Sequence, residues 1–274
     1  MATPLKQILS DLIVANHIIY SKGVVDAFGH ISVRHPHDHD TFIMSANMAP
    51  ALVSSEADFM HYRVSDGSPV QETSSKHFIE RFIHSEIYKR YNEVNCVVHS
   101  HAEEVLPYAI TDVKLRPVFH MTGFLGRETP IYDIEATYQT GELHDLLVKD
   151  IRHGATLASC FSTHDSASGS ATPFPNHNVV LMRRHGFTVL GRNIKEAVFR
   201  AVFTLKNARI QTASHMLQLA AQPSNASLQE AVNGLSVQQI TDSSATTQGV
   251  YDRPWDLWVV ETRAQGLFKN KMLG

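Results

Sequence analysis

Apolar residues recur with helical spacing at Ile8, Leu9, Leu12, Ile13, Ile18 and Ile19, which predicts an amphipathic helix over residues 5–23, stopped by Gly23. A glycine turn at Ala27-Phe28-Gly29 leads into a strand at 30–34. A second strand at 41–45 follows a polar loop, so the two read as a hairpin. Residues 54–58 read as a short helix or turn before a strand at 59–64, and Asp66-Gly67 marks a tight turn. A helix capped by Ser74 or Ser75 follows, with Phe78, Phe82, Ile83 and Ile87 on its apolar side and an end near Tyr91. It feeds a mostly apolar strand over 94–101, built on Val94, Cys96, Val97 and Val98.

Beyond that strand, residues 102–110 read as helical despite Pro107, 115–120 as an extended, edge-like piece, and 129–132 as a short strand. A helix is expected over 141–151. Residues 159–178, rich in Ser, Thr, Ala, Pro and Gly, read as a mobile surface loop. A buried strand at 178–182 ends in Arg183-Arg184-His185-Gly186 and continues at 187–191. Asn193 then caps a long helix over 194–219 with Ala197, Val198, Ala201, Val202 and Leu205 along one stripe. The pattern divides the chain into a main domain, 1–221, and a polar extension, 222–274. The extension is expected to hold one short helix at 227–232 and otherwise to be loosely held. Trp255, Leu257 and Trp258 call for burial of a tail at 251–265, on the domain or on a neighbouring subunit. No internal repeat is present.

At 274 residues the chain can bury a substantial core, and 43% hydrophobic with 19% charged residues is ordinary for a soluble globular protein. A net charge of −3 leaves no electrostatic footprint for nucleic acid or a membrane surface. Two cysteines, Cys96 and Cys160, are too few for a disulfide framework, and no apolar leader or membrane-length run is found; a cytoplasmic location is expected.

The candidate chemistry gathers at the end of the 94–101 strand. His99 and His101 stand two apart, so on a strand their imidazoles share a face and make half of a tetrahedral zinc site. The chain carries 17 histidines, and a rival lies at His35-Pro36-His37-Asp38-His39-Asp40. There Pro36 and the lack of apolar neighbours argue for a solvated turn. Glu80 lies on the helix that runs into the histidine strand, with His84 one turn later on the same face; His185 ends a later strand of similar character. If both strands belong to one sheet, three imidazoles converge beside one carboxylate, and three histidines with an open position are a catalytic zinc geometry. His84 reads as a core histidine or one that hydrogen-bonds a ligand or Glu80.

Glu80 with His84, Asn95-x-Val97-Val98-His99-x-His101, and Arg184-His185-Gly186 before a long helix resemble the class II aldolase/adducin family, whose best-known enzyme is of the L-fuculose-phosphate aldolase type. The resemblance covers most of residues 5–215. It implies an α/β fold, a three-layer α/β/α sandwich around a central, mainly antiparallel sheet, and a homotetramer with active sites between subunits. By the same resemblance His99, His101 and His185 hold Zn2+ (with Mn2+ or Fe2+ as alternatives), Glu80 is the acid/base, and Gly29, His30, Ser32 and Ser45 bind the small-molecule substrate.

The phosphate-binding segments of those aldolases are altered. Gly-Asn-x-Ser reads Gly29-His30-Ile31-Ser32, the Ser/Thr-Gly loop reads Ser45-Ala46-Asn47, and the Ser-Ser before the glutamate reads Phe78-Ile79. Two bulky apolar side chains offer no donor to a phosphate. The tyrosine proton donor that the aldolases carry after the His-x-His strand is replaced in that neighbourhood by His120-Met121, which makes His120 a candidate for its role. These changes resemble a subgroup containing decarboxylases of hydroxylated aromatic or pyridine dicarboxylates. There His30 and Arg34, Arg81 or Arg116 would bind a second carboxylate. Aldol cleavage of a short hydroxy-carbonyl compound stands first because the metal–Glu core matches the aldolases, and decarboxylation, which the altered phosphate segments favour, stands second; iron-dependent oxygenase chemistry and an adducin-like, non-catalytic interaction domain are the remaining readings.

Overall fold

The computed structural model describes residues 5–72, 76–162, 173–221 and 232–272. The chain opens with α1 (Leu5–Ser21), the hairpin β1 (His30–Arg34) and β2 (Thr41–Ser45), then β3 (Phe59–Arg63). It continues with α2 (Arg81–Arg90), β4 (Cys96–Ser100), the short α3 (Leu106–Ile110) and β5 (Ile131–Tyr132). The second half holds α4 (Ile151–Ser159), β6 (Val179–Met182), β7 (Gly186–Gly191) and α5 (Ile194–Ala221). Two further helices, α6 (Val237–Thr247) and α7 (Asp252–Arg263), close it.

Among the described residues the strands form one seven-stranded sheet in the order β3-β2-β1-β4-β7-β6-β5, antiparallel except for the β5–β6 pair. Strand alternation sends Ile31, Val33, Ile43, Cys96, Val98, Phe187 and Val189 to one face, where they meet α1, α5 and α7. Phe42, Met44, Tyr62, Val97, Val180 and Leu190 go to the other, under α2 and α4. Both faces are covered, which gives the α/β/α sandwich expected from the sequence. Among the described residues no helix is long and apolar enough to cross a membrane.

Several elements differ from the sequence reading. The helix expected from Ser74 or Ser75 starts only at Arg81; both serines lie outside the described residues, and residues 76–80 are irregular, so Glu80 is the residue that opens the helix. Residues 141–150 are not helical. Leu146 sits at φ +65°, in the left-handed region, and the helix begins at Ile151, where the Asp150 side chain accepts from the His153 N–H. Residues 115–119 join no strand, because α5 side chains satisfy their backbone: Gln211 and Asn207 accept from the Arg116 and Val118 N–H groups and donate to the Lys114 and Arg116 carbonyls.

Half of the loop expected at 159–178 (163–172) and most of the short helix at 227–232 (227–231) lie outside the described residues. Residues 237–247, expected to be loose, are α6, opened by a Ser236/Gln239 capping box that the Ser-x-x-Gln spelling signals. α6 rests where a Cβ on Gly123 would overlap Ser243 and the Ile240 carbonyl. In the tail, Trp255 and Trp258 are buried against the α1–α5 face, while Leu257, expected to be buried, faces out.

Candidate active site

The site forms where β4 ends. Antiparallel pairing sets His30 of β1 opposite His99 and Thr188 of β7 on its other side, so all three point to the α2 face. One turn past β6, His185 enters from the tight connection to β7. Gly186 makes that possible: a Cβ there would overlap the Ser100 carbonyl, so only glycine lets β7 begin against the end of β4. Glu80, at the head of α2, reaches the cluster from above.

The ligand atoms of Glu80, His99, His101 and His185 all lie within 4.8 Å of one another. The Nε2 atoms of His99 and His101 are 3.0 Å apart, and those of His101 and His185 3.2 Å. Glu80 Oε2 is 3.5 Å from His99 Nε2 and 3.4 Å from His185 Nε2. The hydrogen-bond partners fix the tautomers. His185 Nδ1 lies 2.9 Å from the Leu146 carbonyl, which can only accept. His101 Nδ1 lies 3.4 Å from Asp26 Oδ2, another acceptor. Thr188 Oγ1 gives its hydrogen to Met182 Sδ and so accepts from His99 Nδ1 at 3.4 Å. Each Nδ1 therefore carries the proton, and three Nε2 lone pairs face one point.

Lone pairs so close repel unless a cation lies among them. Two nitrogens bound to zinc at ~2.0–2.1 Å in tetrahedral geometry stand about 3.3 Å apart, close to the spacings found here. The donor set of three imidazoles and one carboxylate fits a divalent metal. With no cation present, burial opposes ionisation of Glu80, but His99 and His185 outweigh it and hold its carboxyl well below the usual range. Burial likewise lowers His185, yet its hydrogen bond with Glu80 leaves it raised; His99, fully buried, falls to about 4.

Behind the cluster runs a buried chain of hydrogen bonds. His30 Nδ1 meets His84 Nε2 at 2.7 Å, His84 Nδ1 meets Ser32 Oγ at 2.6 Å, and Ser32 Oγ meets the Tyr88 hydroxyl at 2.7 Å. Burial pushes the Tyr88 phenol well above its ordinary pKa, so it keeps its hydrogen, for which Ser32 Oγ at 2.7 Å is the acceptor at hand. Ser32 then donates to His84 Nδ1, and His84 Nε2–H to His30 Nδ1. Burial lowers His84 to about 3 and His30 well below its usual value, so both rings are neutral. His30 is left with its hydrogen on Nε2, beside Phe78 and His99 at ring distances of 4.8 and 5.1 Å.

The other residues named from the sequence fall as follows. Gly29 packs tightly, where a Cβ would be 2.7 Å from Val25 and 3.1 Å from the His99 carbonyl oxygen; its N–H donates to Asp26. Ser32 is enclosed, and its hydroxyl is committed to His84 and Tyr88 rather than open to a substrate. Ser45 pairs with Phe59 and, by alternation from Met44, points to the sheet face opposite His30 and His99. His120 is exposed at the start of a 3-10 turn, its ring edge-on to Phe119, outside the four-residue cluster.

None of the three arginines reaches the cluster. Arg34 gives its donors to the Val94, His39, Tyr88 and Tyr91 carbonyls, and Arg81 to those of Gly67 and Phe78. Arg116 is exposed beside Gly234. The 35–40 loop brings His35 near His61 and His37, at ring distances of 5.5 and 6.0 Å, without forming a second ligand set. Asp26, Thr188, Tyr88 and the backbone at Leu146 and Val148 were missed. Asp26 carries an Asx-turn signal, since it accepts from the Phe28 and Gly29 N–H groups, but nothing local ties it to His101.

A profile of the Class II Aldolase and Adducin N-terminal domain matches residues 10–212, more than half of the chain. The chain belongs to this family. Among its class II aldolase relatives, decarboxylase tropJ from Talaromyces stipitatus is 46% identical over 254 residues, covering 93% of each chain. Methylthioribulose-1-phosphate dehydratase from Bacillus cytotoxicus is 27% identical over 169 residues, 62% of this chain and 72% of the relative. L-fuculose 1-phosphate aldolase from Glaciozyma antarctica PI12 superposes with a TM-score of 0.68 at 16% identity, covering 97% of this class II aldolase-family chain and 93% of its own. An aldolase II superfamily protein from Pseudomonas syringae reaches 0.71 at 16% identity, over 98% and 96%.

Proposed function

We propose that this protein is a metal-dependent carbon–carbon lyase that decarboxylates a hydroxylated aromatic or pyridine dicarboxylate. The observation that carries the reading is the site's occurrence in a chain 46% identical, over 93% of its length, with a named decarboxylase. The order of the two sequence readings is thereby reversed. Aldol cleavage of a sugar phosphate is disfavoured by the same geometry: Ser32 is spent inside the chain, Ser45 faces the other way, and Phe78 lines the site beside His30.

His99, His101 and His185 would hold the metal, zinc or alternatively manganese or iron, which when bound supplies Lewis acidity toward two adjacent substrate oxygens. Glu80 keeps one oxygen on the Val148 N–H at 2.9 Å and turns the other to the cluster. Ionised, it accepts the proton of the substrate hydroxyl. As the ring carbon–carboxyl bond breaks, carbon dioxide leaves and the bonding electrons stay on the carbon; Glu80 returns the proton there. His30 Nε2–H is a neutral donor for an anionic substrate oxygen.

The test is metal analysis of the purified protein followed by two parallel assays. Carbon dioxide release from a hydroxylated aromatic dicarboxylate, lost in Glu80→Gln with metal retained, supports the reading. Aldehyde release from a ketose phosphate would restore the aldolase assignment. A metal-free, inert protein would point to the interaction-domain branch.

A further inference from the structure

The stretch from Tyr138 to Asp150, expected in part to be helical, reaches the candidate site through two backbone groups. The Leu146 carbonyl accepts from His185 Nδ1 at 2.9 Å, and two residues later the Val148 N–H donates to Glu80 Oε1 at 2.9 Å. One kink thus orients two of the four clustered side chains, whose own Nε2 and Oε2 atoms are 3.4 Å apart. The kink is Leu146 itself, at φ +65°, a conformation that costs a leucine of order 1 kcal/mol or more.

Something must hold it there, and the contact is specific. The Leu146 N–H donates to the Tyr138 hydroxyl at 2.8 Å. Tyr138 in turn is stacked on His144 at 4.2 Å, packed edge-on against His153 at 5.5 Å, and followed by the Gln139 N–H on Glu142 at 2.7 Å. Arg152 ties Glu142 and the Thr137 carbonyl together at the base of the segment.

We propose that Tyr138 and Leu146 are positioning residues: the Tyr138 hydroxyl locks Leu146 in the left-handed conformation, and that conformation aims the carbonyl at His185 and the Val148 N–H at Glu80. The inference rests on the reading of the cluster as a metal site and goes beyond it by assigning the orientation of two members to one backbone kink.

The alternative is that Leu146 matters only as an apolar side chain packed on the core beneath it. Two substitutions separate these with opposite signs. Asparagine enters the left-handed region readily but is polar, whereas valine is apolar but β-branched and resists it. On the full-length protein, zinc affinity is measured by competition with a chromophoric chelator, and folding by circular dichroism and thermal unfolding. Leu146→Val is expected to weaken zinc binding ten-fold or more, the range found for loss of a ligand's hydrogen-bond partner, with Leu146→Asn clearly the milder of the two. Tyr138→Phe keeps the ring stack, removes the acceptor, and is expected to weaken zinc binding several-fold. Asparagine worse than valine, or Tyr138→Phe binding zinc like the parent, overturns the proposal, and the tyrosine variant decides the matter if Leu146→Val does not fold. A parent protein that binds no zinc instead removes the metal reading beneath it.

Discussion

Ser32→Ala tests the buried chain behind the site. The hydroxyl links the Tyr88 phenol at 2.7 Å to His84 Nδ1 at 2.6 Å, and all three side chains are buried. Removing it strands a phenolic hydrogen with no acceptor and an imidazole nitrogen with no donor. Each of the two stranded groups costs about 1–3 kcal/mol, so the variant should lose about 2–6 kcal/mol of folding stability. A substrate-binding serine, as the sequence suggested, would cost under about 1 kcal/mol and act on substrate affinity instead. Urea unfolding of parent and variant at pH 7.5 reads the difference. The direction of the chain adds a second requirement. Tyr88→Phe leaves Ser32 still donating to His84, so it should cost less than Ser32→Ala, and the double variant should fall short of the sum by on the order of 1–2 kcal/mol. A loss below 1 kcal/mol in Ser32→Ala, or strict additivity with Tyr88→Phe, would refute the linkage.

Gly186→Ala should destabilise by on the order of 3 kcal/mol and abolish zinc binding, since the new methyl drives β7 away from the Ser100 carbonyl; isothermal titration with zinc and urea unfolding check both effects. His84, held at about 3 in the folded state against an ordinary value of 6.5, stays neutral while the unfolded chain takes up its proton. Its contribution is fully present above about pH 6.5 and is lost as the pH falls toward 3, with His30 acting in the same direction and His185, raised by Glu80, opposing. The zinc-free protein should therefore show urea midpoints that decline steadily from pH 7 to 5, and a flat profile would be inconsistent with buried neutral rings. Trp258→Ala removes a buried ring beside Phe203 and Lys22 and should cost about 3–5 kcal/mol, read by thermal unfolding; a change under 1 kcal/mol would mean that α7 does not depend on it to dock.

Much of the site could be read along the chain because its signals are local. His-x-His needs only strand alternation to bring two imidazoles together at the end of β4, while the apolar run before His185 marks a strand that ends at Met182 and leaves His185 in the turn that follows, not at the strand end read from the sequence. The hairpin of β1 and β2, the long α5 and the buried tryptophans follow from the same periodicity. Other features depended on contacts between distant segments. Residues 141–150 carry a helix-like pattern, yet their backbone groups are claimed by Tyr138, His185 and Glu80 and leave the helical ladder. Ser32 and Ser45 sit in the right sequence neighbourhood for a ligand, but the identity of the facing helix, and one step of strand alternation, turned the first into a core link and the second to the far face. Asp26 and Thr188 became partners of His101 and His99 only through strand order. Side-chain period is a property of one segment. Which acceptor stands behind an imidazole is a property of how segments pack, and that was decided by the tertiary structure.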